Sequence, residues 1–206
     1  MTNVRSMPSE MRAVFTALQD EVFWLHAKWI VHRQLFGTSE ERIDLLNDFG
    51  PDLFQIIYDS LLNDVLLTMS RLTDPASSFK KENLSLSRLT NMIEETDHKE
   101  FQTEISALQA KTNDQCEPFR RLRNRVIAHN DLAAALSHHH DPLPDITRQM
   151  IENGLSSIRD YMSAFDTFFD ATETDYKQPH LRGDGDSLIH YLEEVRAHHL
   201  DRLTKQ

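Results

Sequence analysis

Apolar residues recur every three or four positions along most of this chain, and that spacing restricts it to packed amphipathic helices. Met11, Val14, Phe15, Leu18, Val22, Leu25, Trp29 and Leu35 form one such stripe. Phe54, Ile57, Leu61, Val65, Met69 and Leu72 form a second, and Ile146, Met150, Ile151, Leu155, Ile158, Met162, Phe165 and Phe169 a third. The 206 residues hold only 5 glycines and 7 prolines, too few for a turn-rich β-sandwich or barrel. No segment reads as a strand. The predicted fold class is therefore all-α, an up-and-down bundle of long helices with a short helix insertion and a C-terminal helix.

Start and stop signals divide the stripes. Ser9 follows Pro8 as a cap with Glu10 in the first turn, and Gly37 closes that helix. A short helix over residues 39–49 stops at Gly50-Pro51, and a long one follows over 52–72. Residues 73–78 have the composition of a loop. A helix over 86–96 leads to Asp97, which opens another through Phe101, Ile105 and Leu108; Thr112-Asn113-Asp114 is expected to interrupt it before an arginine-rich stretch reaching His129. Residues 130–144 read as a surface loop, Asp145 as the cap of the next helix, 178–185 as a linker, and Asp186 or Ser187 as the cap of a last helix. The expectation is one domain over 1–206, with a core at about 9–172 and a C-terminal linker and helix at about 178–206.

A lone Cys116 excludes an internal disulfide framework and fits a reducing compartment. Residues 1–10 are polar and lack the apolar centre of a secretory signal. The apolar run from Val22 to Leu35 is broken by His26, Lys28, His32 and Arg33, well short of the ~20 clean residues of a membrane span. A cytoplasmic protein without a membrane partner is expected. The net charge of -11 argues against coating nucleic acid over the whole surface. Against that background, Arg120, Arg121, Arg123 and Arg125 stand together with no acid among them.

That reversal of sign lies in Phe119-Arg120-Arg121-Leu122-Arg123-Asn124-Arg125-Val126-Ile127-Ala128-His129-Asn130-Asp131. Arg125 and His129, four apart, share a helical face. Arg123 and His129, six apart, are about 120° apart on an ideal helix, so they join one site only near a helix end, at a kink or across a dimer axis. Arginine offers a permanently charged fork that grips phosphate, and histidine titrates near neutrality and can move a proton. Together they suit cleavage of a phosphodiester, with Asn124 orienting the phosphate or the imidazole and no metal required. The plainer reading is a favourable helix end, with His129 against the macrodipole and arginines paired with acids elsewhere.

Other features carry alternatives. Asp64, set in an apolar run, orients an arginine of this stretch or pairs with a nearby one such as Arg71. His190, Glu194 and His198 share a helical face that suits a metal, a spacing that also arises in any polar helix. His138, His139 and His140 read as solvated loop, and Asp184-Gly185-Asp186 lacks the remaining ligands of a calcium loop. Cys116 has no evident nucleophilic triad, and no glycine-rich phosphate loop exists.

Arg123-Asn124, four further residues and His129 resemble the Arg–polar–His signature of the HEPN superfamily. Ala128 before the histidine and Asp131 after it are similar to its abortive-infection AbiU-like branch. So are Leu35-Phe36, Ile43-Asp44-Leu45-Leu46-Asn47, Asp64, Ser70-Arg71-Leu72-Thr73-Asp74-Pro75 and Asn83-Leu84-Ser85-Leu86. The resemblance implies a HEPN-like helical bundle that forms a homodimer with the two motifs facing each other. It implies a metal-independent endoribonuclease of the phage-defence or toxin kind, without cofactor or metal, forming 2′,3′-cyclic phosphates. Carried over by position, Arg123 stabilises the phosphate, Asn124 is the polar residue and His129 the general base or acid. Arg120, Arg121 and Arg125 are expected to bind RNA phosphates, and Asp64 and Asp131 to support the site. The alternative is a non-catalytic module of the same fold that binds an acidic partner, a nucleotide or an antitoxin or other neutralising protein.

Overall fold

Pro8 and Ser9 start the first helix where their turn chemistry predicts, the Arg12 N–H donating to Pro8 O at 2.8 Å. A computed structural model describes residues 6–78, 80–94, 96–124, 145–169, 175–177 and 179–204. Among them lie seven α-helices: α1 (Ser9–Phe36), α2 (Glu40–Phe49), α3 (Pro51–Leu72), α4 (Leu86–Glu94), α5 (Lys99–Leu122), α6 (Arg148–Phe168) and α7 (Gly185–Thr204). The fold is all-α, with one two-stranded ribbon among the described residues. The apolar stripes are its core: Met11, Phe15, Leu18, Val22, Leu25, Val65, Met69, Leu72, Ile151, Leu155, Ile158, Met162 and Phe165 are all buried. Among the described residues no helix is long and apolar enough to cross a membrane.

Contacts divide the chain into two units. The first comprises residues 1–25 and 66–177. In it α5 and α6 run antiparallel: Phe101 stacks on Phe168, Lys111 pairs with Asp160 at 2.9 Å, and Gly154 of α6 lies beside Cys116 and Phe119. A Cβ at Gly154 would stand 3.0 Å from the Phe119 ring and run into the Met69 methyl, so the close approach of these helices requires glycine. Shorter α4 lies antiparallel to α5, with Gln109 Nε2 donating to Ser87 Oγ at 2.6 Å and Gln102 Nε2 to the Thr96 carbonyl at 2.6 Å. Tyr161, fully buried, donates to the Leu86 carbonyl at 2.8 Å. That leaves the Thr90 hydroxyl to donate to the Tyr161 oxygen, also at 2.8 Å.

Three local expectations are corrected here. Helix α5 does not break at Thr112-Asn113-Asp114, because the Thr112 hydroxyl is satisfied within the helix by Leu108 O (2.9 Å) and across it by Ser157 O (3.2 Å). Thr147, not Asp145, caps α6, its hydroxyl accepting the Met150 N–H at 3.3 Å. The end of the segment 73–78, expected as plain loop, pairs with the residues after it as a small antiparallel ribbon, β1 (Ser77–Ser78) with β2 (Lys81–Glu82). Asn83 fastens its base by donating from its backbone to Ala76 O and from its side chain to Pro75 O.

The second unit comprises residues 26–65 and 178–206. Its core is Leu35, Leu45, Leu46, Phe54 and Ile189, so the C-terminal helix packs into a cluster with α2 and the ends of α1 and α3. Arg42 meets Asp186 at 2.5 Å, and Gln34 Nε2 donates to Asp184 at 2.7 Å. The start of α7 differs from expectation. Asp184, not Asp186 or Ser187, is its cap, and its Oδ1 accepts both the backbone N–H (3.0 Å) and the hydroxyl (2.8 Å) of Ser187. Those bonds hold the Asp184 carboxyl below its ordinary pKa. Gly185 lets the α7 backbone come against α1, where a Cβ would lie 3.1 Å from Val31 O.

Candidate functional site at the end of α5

The arginine-rich stretch occupies the last turns of α5. Pro118 removes one helical N–H donor, yet the helix continues to Leu122. It ends in a wide turn at Arg123-Asn124, the Arg123 N–H reaching both Phe119 O and Arg120 O. Buried Phe119 and Cys116 anchor this end of the helix in the first unit. Burial pushes the Cys116 thiol up to about 12, against a smaller opposing pull from Arg120. It stays a neutral packing residue and not a nucleophile.

Two arginines one turn apart hold the turn that follows α3. Arg120 donates to the Asn113 carbonyl (2.9 Å) and to the Thr73 carbonyl (3.4 Å). Arg123 makes a two-oxygen pair with Asp74, NH1 lying 2.9 Å from Oδ1 and 2.7 Å from Oδ2. Its Nε donates to the Asn124 amide oxygen at 3.0 Å. The acceptor side is held equally well. Asp74 N–H donates to Arg71 O (3.1 Å), and the buried Thr73 hydroxyl to Met69 O and Ser70 O at 3.1 Å each. With side chains only 17% and 25% exposed, the Arg123–Asp74 pair is shielded enough from water for its charges to matter. Arg123 is thereby fixed in place, while its NH2 group has no hydrogen-bond partner among the described residues.

The other predicted residues fall differently. Arg121 lies 3.9 Å from Glu117, one turn back on α5. Among the described residues Asp64 pairs with no arginine: its partner is Lys28 of the same unit at 2.5 Å, while Arg71 pairs with Glu21 at 3.2 Å. The carboxylate beside the signature arginine is Asp74, which sequence reasoning placed in a loop without a role. Its position in Ser70-Arg71-Leu72-Thr73-Asp74-Pro75, already similar to the family, was the available signal. Arg125, His129 and Asp131 lie outside the described residues, as does the loop at 130–144 with its three histidines. On α7, His190 and Glu194 approach at 3.5 Å, and among the described residues no group of three or more His, Cys, Asp or Glu is arranged to hold a metal.

The AbiU2 family model of the HEPN superfamily matches residues 9–182. The chain belongs to that family. The match takes in α1 to α6 and the whole Arg123-to-His129 signature, and it ends just before α7. Membership agrees with the abortive-infection branch that the motif and its flanking segments suggest. No curated protein and no solved structure matches the chain.

Proposed function

We propose that this AbiU2-family protein is a metal-independent endoribonuclease acting as a phage-defence or toxin effector. The observation that carries the reading is the arrangement of Arg123, held by Asp74 on one edge and by Asn124 at Nε, at the start of the Arg-polar-His signature. A guanidinium fixed in this way loses little freedom on meeting a phosphate, and it stabilises charge as it builds on the scissile group. His129 takes the proton of the RNA 2′-hydroxyl, which attacks the adjacent phosphorus; the P–O5′ bond breaks and the proton passes to the departing 5′-oxygen. The products are a 2′,3′-cyclic phosphate and a 5′-hydroxyl. Two copies with their motifs facing each other would line one cleft, and Arg120, Arg121 and Arg125 would add to the binding of RNA phosphates. Asp131 supports His129 in this reading. Asp64, paired with Lys28, is left a structural part.

The test is incubation of structured RNA and tRNA with the wild type and His129→Ala in excess EDTA, with the ends mapped. Cleavage by the wild type alone, leaving cyclic phosphates, is expected. No cleavage by a folded wild-type dimer would sink the reading.

One observation favours a second reading. Arg120, Arg121 and Arg123 all have protein partners, as the arginines of a purely structural helix end would. On that reading the chain is a non-catalytic module that binds an acidic partner, a nucleotide or an antitoxin. Equal binding of such a partner by wild type and His129→Ala, with no cleavage by either, would establish it.

A further inference from the structure

The second unit holds a groove that the proposed chemistry does not use. It lies among the last turn of α1, the middle of α2 and the first turns of α3, with a volume of about 220 Å³. Three aromatic rings, Phe36, Phe54 and Tyr58, line it together with the buried Leu46. Phe36 and Tyr58 meet edge to face, 5.2 Å between centroids at 82°. The His32 ring lies against both, 5.5 Å and 4.8 Å away, and is itself buried. The aromatic wall is thus backed by a second packed layer, which fixes its shape before any ligand arrives.

The polarity of the groove narrows the ligand class. None of its lining residues carries a formal charge, although 27% of the chain is charged, so phosphate or carboxylate finds no counter-ion there. Two exposed amides, Asn47 and Gln55, stand at the rim. The Asn47 side chain has no hydrogen-bond partner among the described residues. Gln55 gives one N–H to Asp59 at 3.1 Å and keeps its carbonyl. Ring faces beside amide donors and acceptors are the means by which proteins hold a neutral planar heterocycle: the ring stacks, and its polar edge is read by hydrogen bonds. The groove is smaller than the roughly 300–1,000 Å³ typical of drug-sized ligands, which suits one base with its sugar and phosphate left outside.

We propose that this groove binds a single unstacked nucleobase of RNA. The proposal rests on the reading that the chain acts on RNA, and it adds a means of base preference that arginine–phosphate contacts, which carry no sequence information, do not supply.

The experiment uses the full chain carrying His129→Ala and titrates it with adenosine, guanosine, cytidine and uridine. These carry no phosphate, so the charge attraction between arginine and phosphate is absent. N-acetyltryptophanamide serves as a mimic of a protein aromatic side chain. Saturable binding of at least one nucleoside is expected, weakened tenfold or more by Asn47→Ala combined with Gln55→Ala, with an unchanged circular dichroism spectrum. No saturation by any nucleoside, saturation untouched by the double variant, or binding of N-acetyltryptophanamide alone would each overturn the proposal. Cleavage is read separately. A wild type that cuts RNA but binds no nucleoside loses the groove and keeps the nuclease, whereas nucleoside binding without cleavage does the reverse.

Discussion

The two units solve the same packing problem with different materials. The first closes on large aromatic side chains: Phe15 stacks on Phe165 at 5.9 Å, Phe101 on Phe168 at 3.9 Å, and Tyr161 lies fully buried among them. Several of its buried polar groups tie helices together, as Tyr161 does with Thr90 and Leu86 and Thr112 does with Ser157. The second has a smaller cluster in which Phe54 is the one ring among four aliphatic side chains, beside the His32, Phe36 and Tyr58 rings, and ion pairs at least partly open to solvent link its helices, Lys28–Asp64, Arg42–Asp186 and Arg196–Asp48. It leaves Leu53, Ile56, Leu188, Tyr191 and Val195 exposed. It also buries the His32 imidazole with neither nitrogen hydrogen-bonded among the described residues. The lesson is a division of labour. Arg123 and its partner Asp74 lie on the unit where the buried hydroxyls of Thr90, Thr112 and Tyr161 cross-link the helices. The unit with open apolar surface is the one suited to contacting something else.

The largest test of that contrast is Phe165→Ala, which removes the ring shared by α1, α5 and α6. A loss of about 3–5 kcal/mol is expected, measured by chemical denaturation. A loss well below that would mean that the first unit is not the more tightly packed one. Next comes Asp74→Asn, which keeps the shape of the turn but removes the charge facing Arg123. It should cost about 1–3 kcal/mol of stability, since hydrogen bonds to charged groups of this kind are worth about that much. If the nuclease reading holds, cleavage should fall roughly tenfold or more as Arg123 loses its fixed position. Unchanged cleavage in a folded Asp74→Asn protein would remove Asp74 from the site.

His32 gives the second unit a pH dependence with a definite sign. Burial holds its pKa below the ordinary 6.5, so the folded state favours the neutral ring. The unfolded chain then binds the proton more readily. The unit is at full stability above about pH 6.5 and loses it as the pH falls from there toward the depressed folded value. Denaturation midpoints at pH 7.5 and 5.5 should separate for the wild type and come closer together in His32→Phe, which keeps an aromatic ring in the stack. An equal separation in both would assign the acid sensitivity elsewhere. The smallest effect is expected for Asp64→Ala, less than about 1 kcal/mol, because its pair with Lys28 is 35–42% exposed and screened. A loss of several kcal/mol there would show that the second unit depends on its ion pairs after all.

What the sequence by itself determined is the local and repetitive part. The three- and four-residue stripes specify helices because burial needs one continuous apolar face, and most of their members form the core. Pro8-Ser9, Gly37 and Gly50-Pro51 mark helix ends because capping and chain-breaking act within a few residues. The family was legible for a similar reason, its signature being a short spacing around Arg123 and Asn124 supported by flanking segments. Tertiary structure decided which polar groups meet. Arg123 finds Asp74 across 49 positions, Gln34 reaches Asp184 across 150, and Asp64 takes Lys28 and not Arg71. Periodicity says which face of a helix is buried, but the choice of partner depends on the register in which two helices come together. That register is set by interlocking side chains such as those around Gly154, which no spacing along one chain contains.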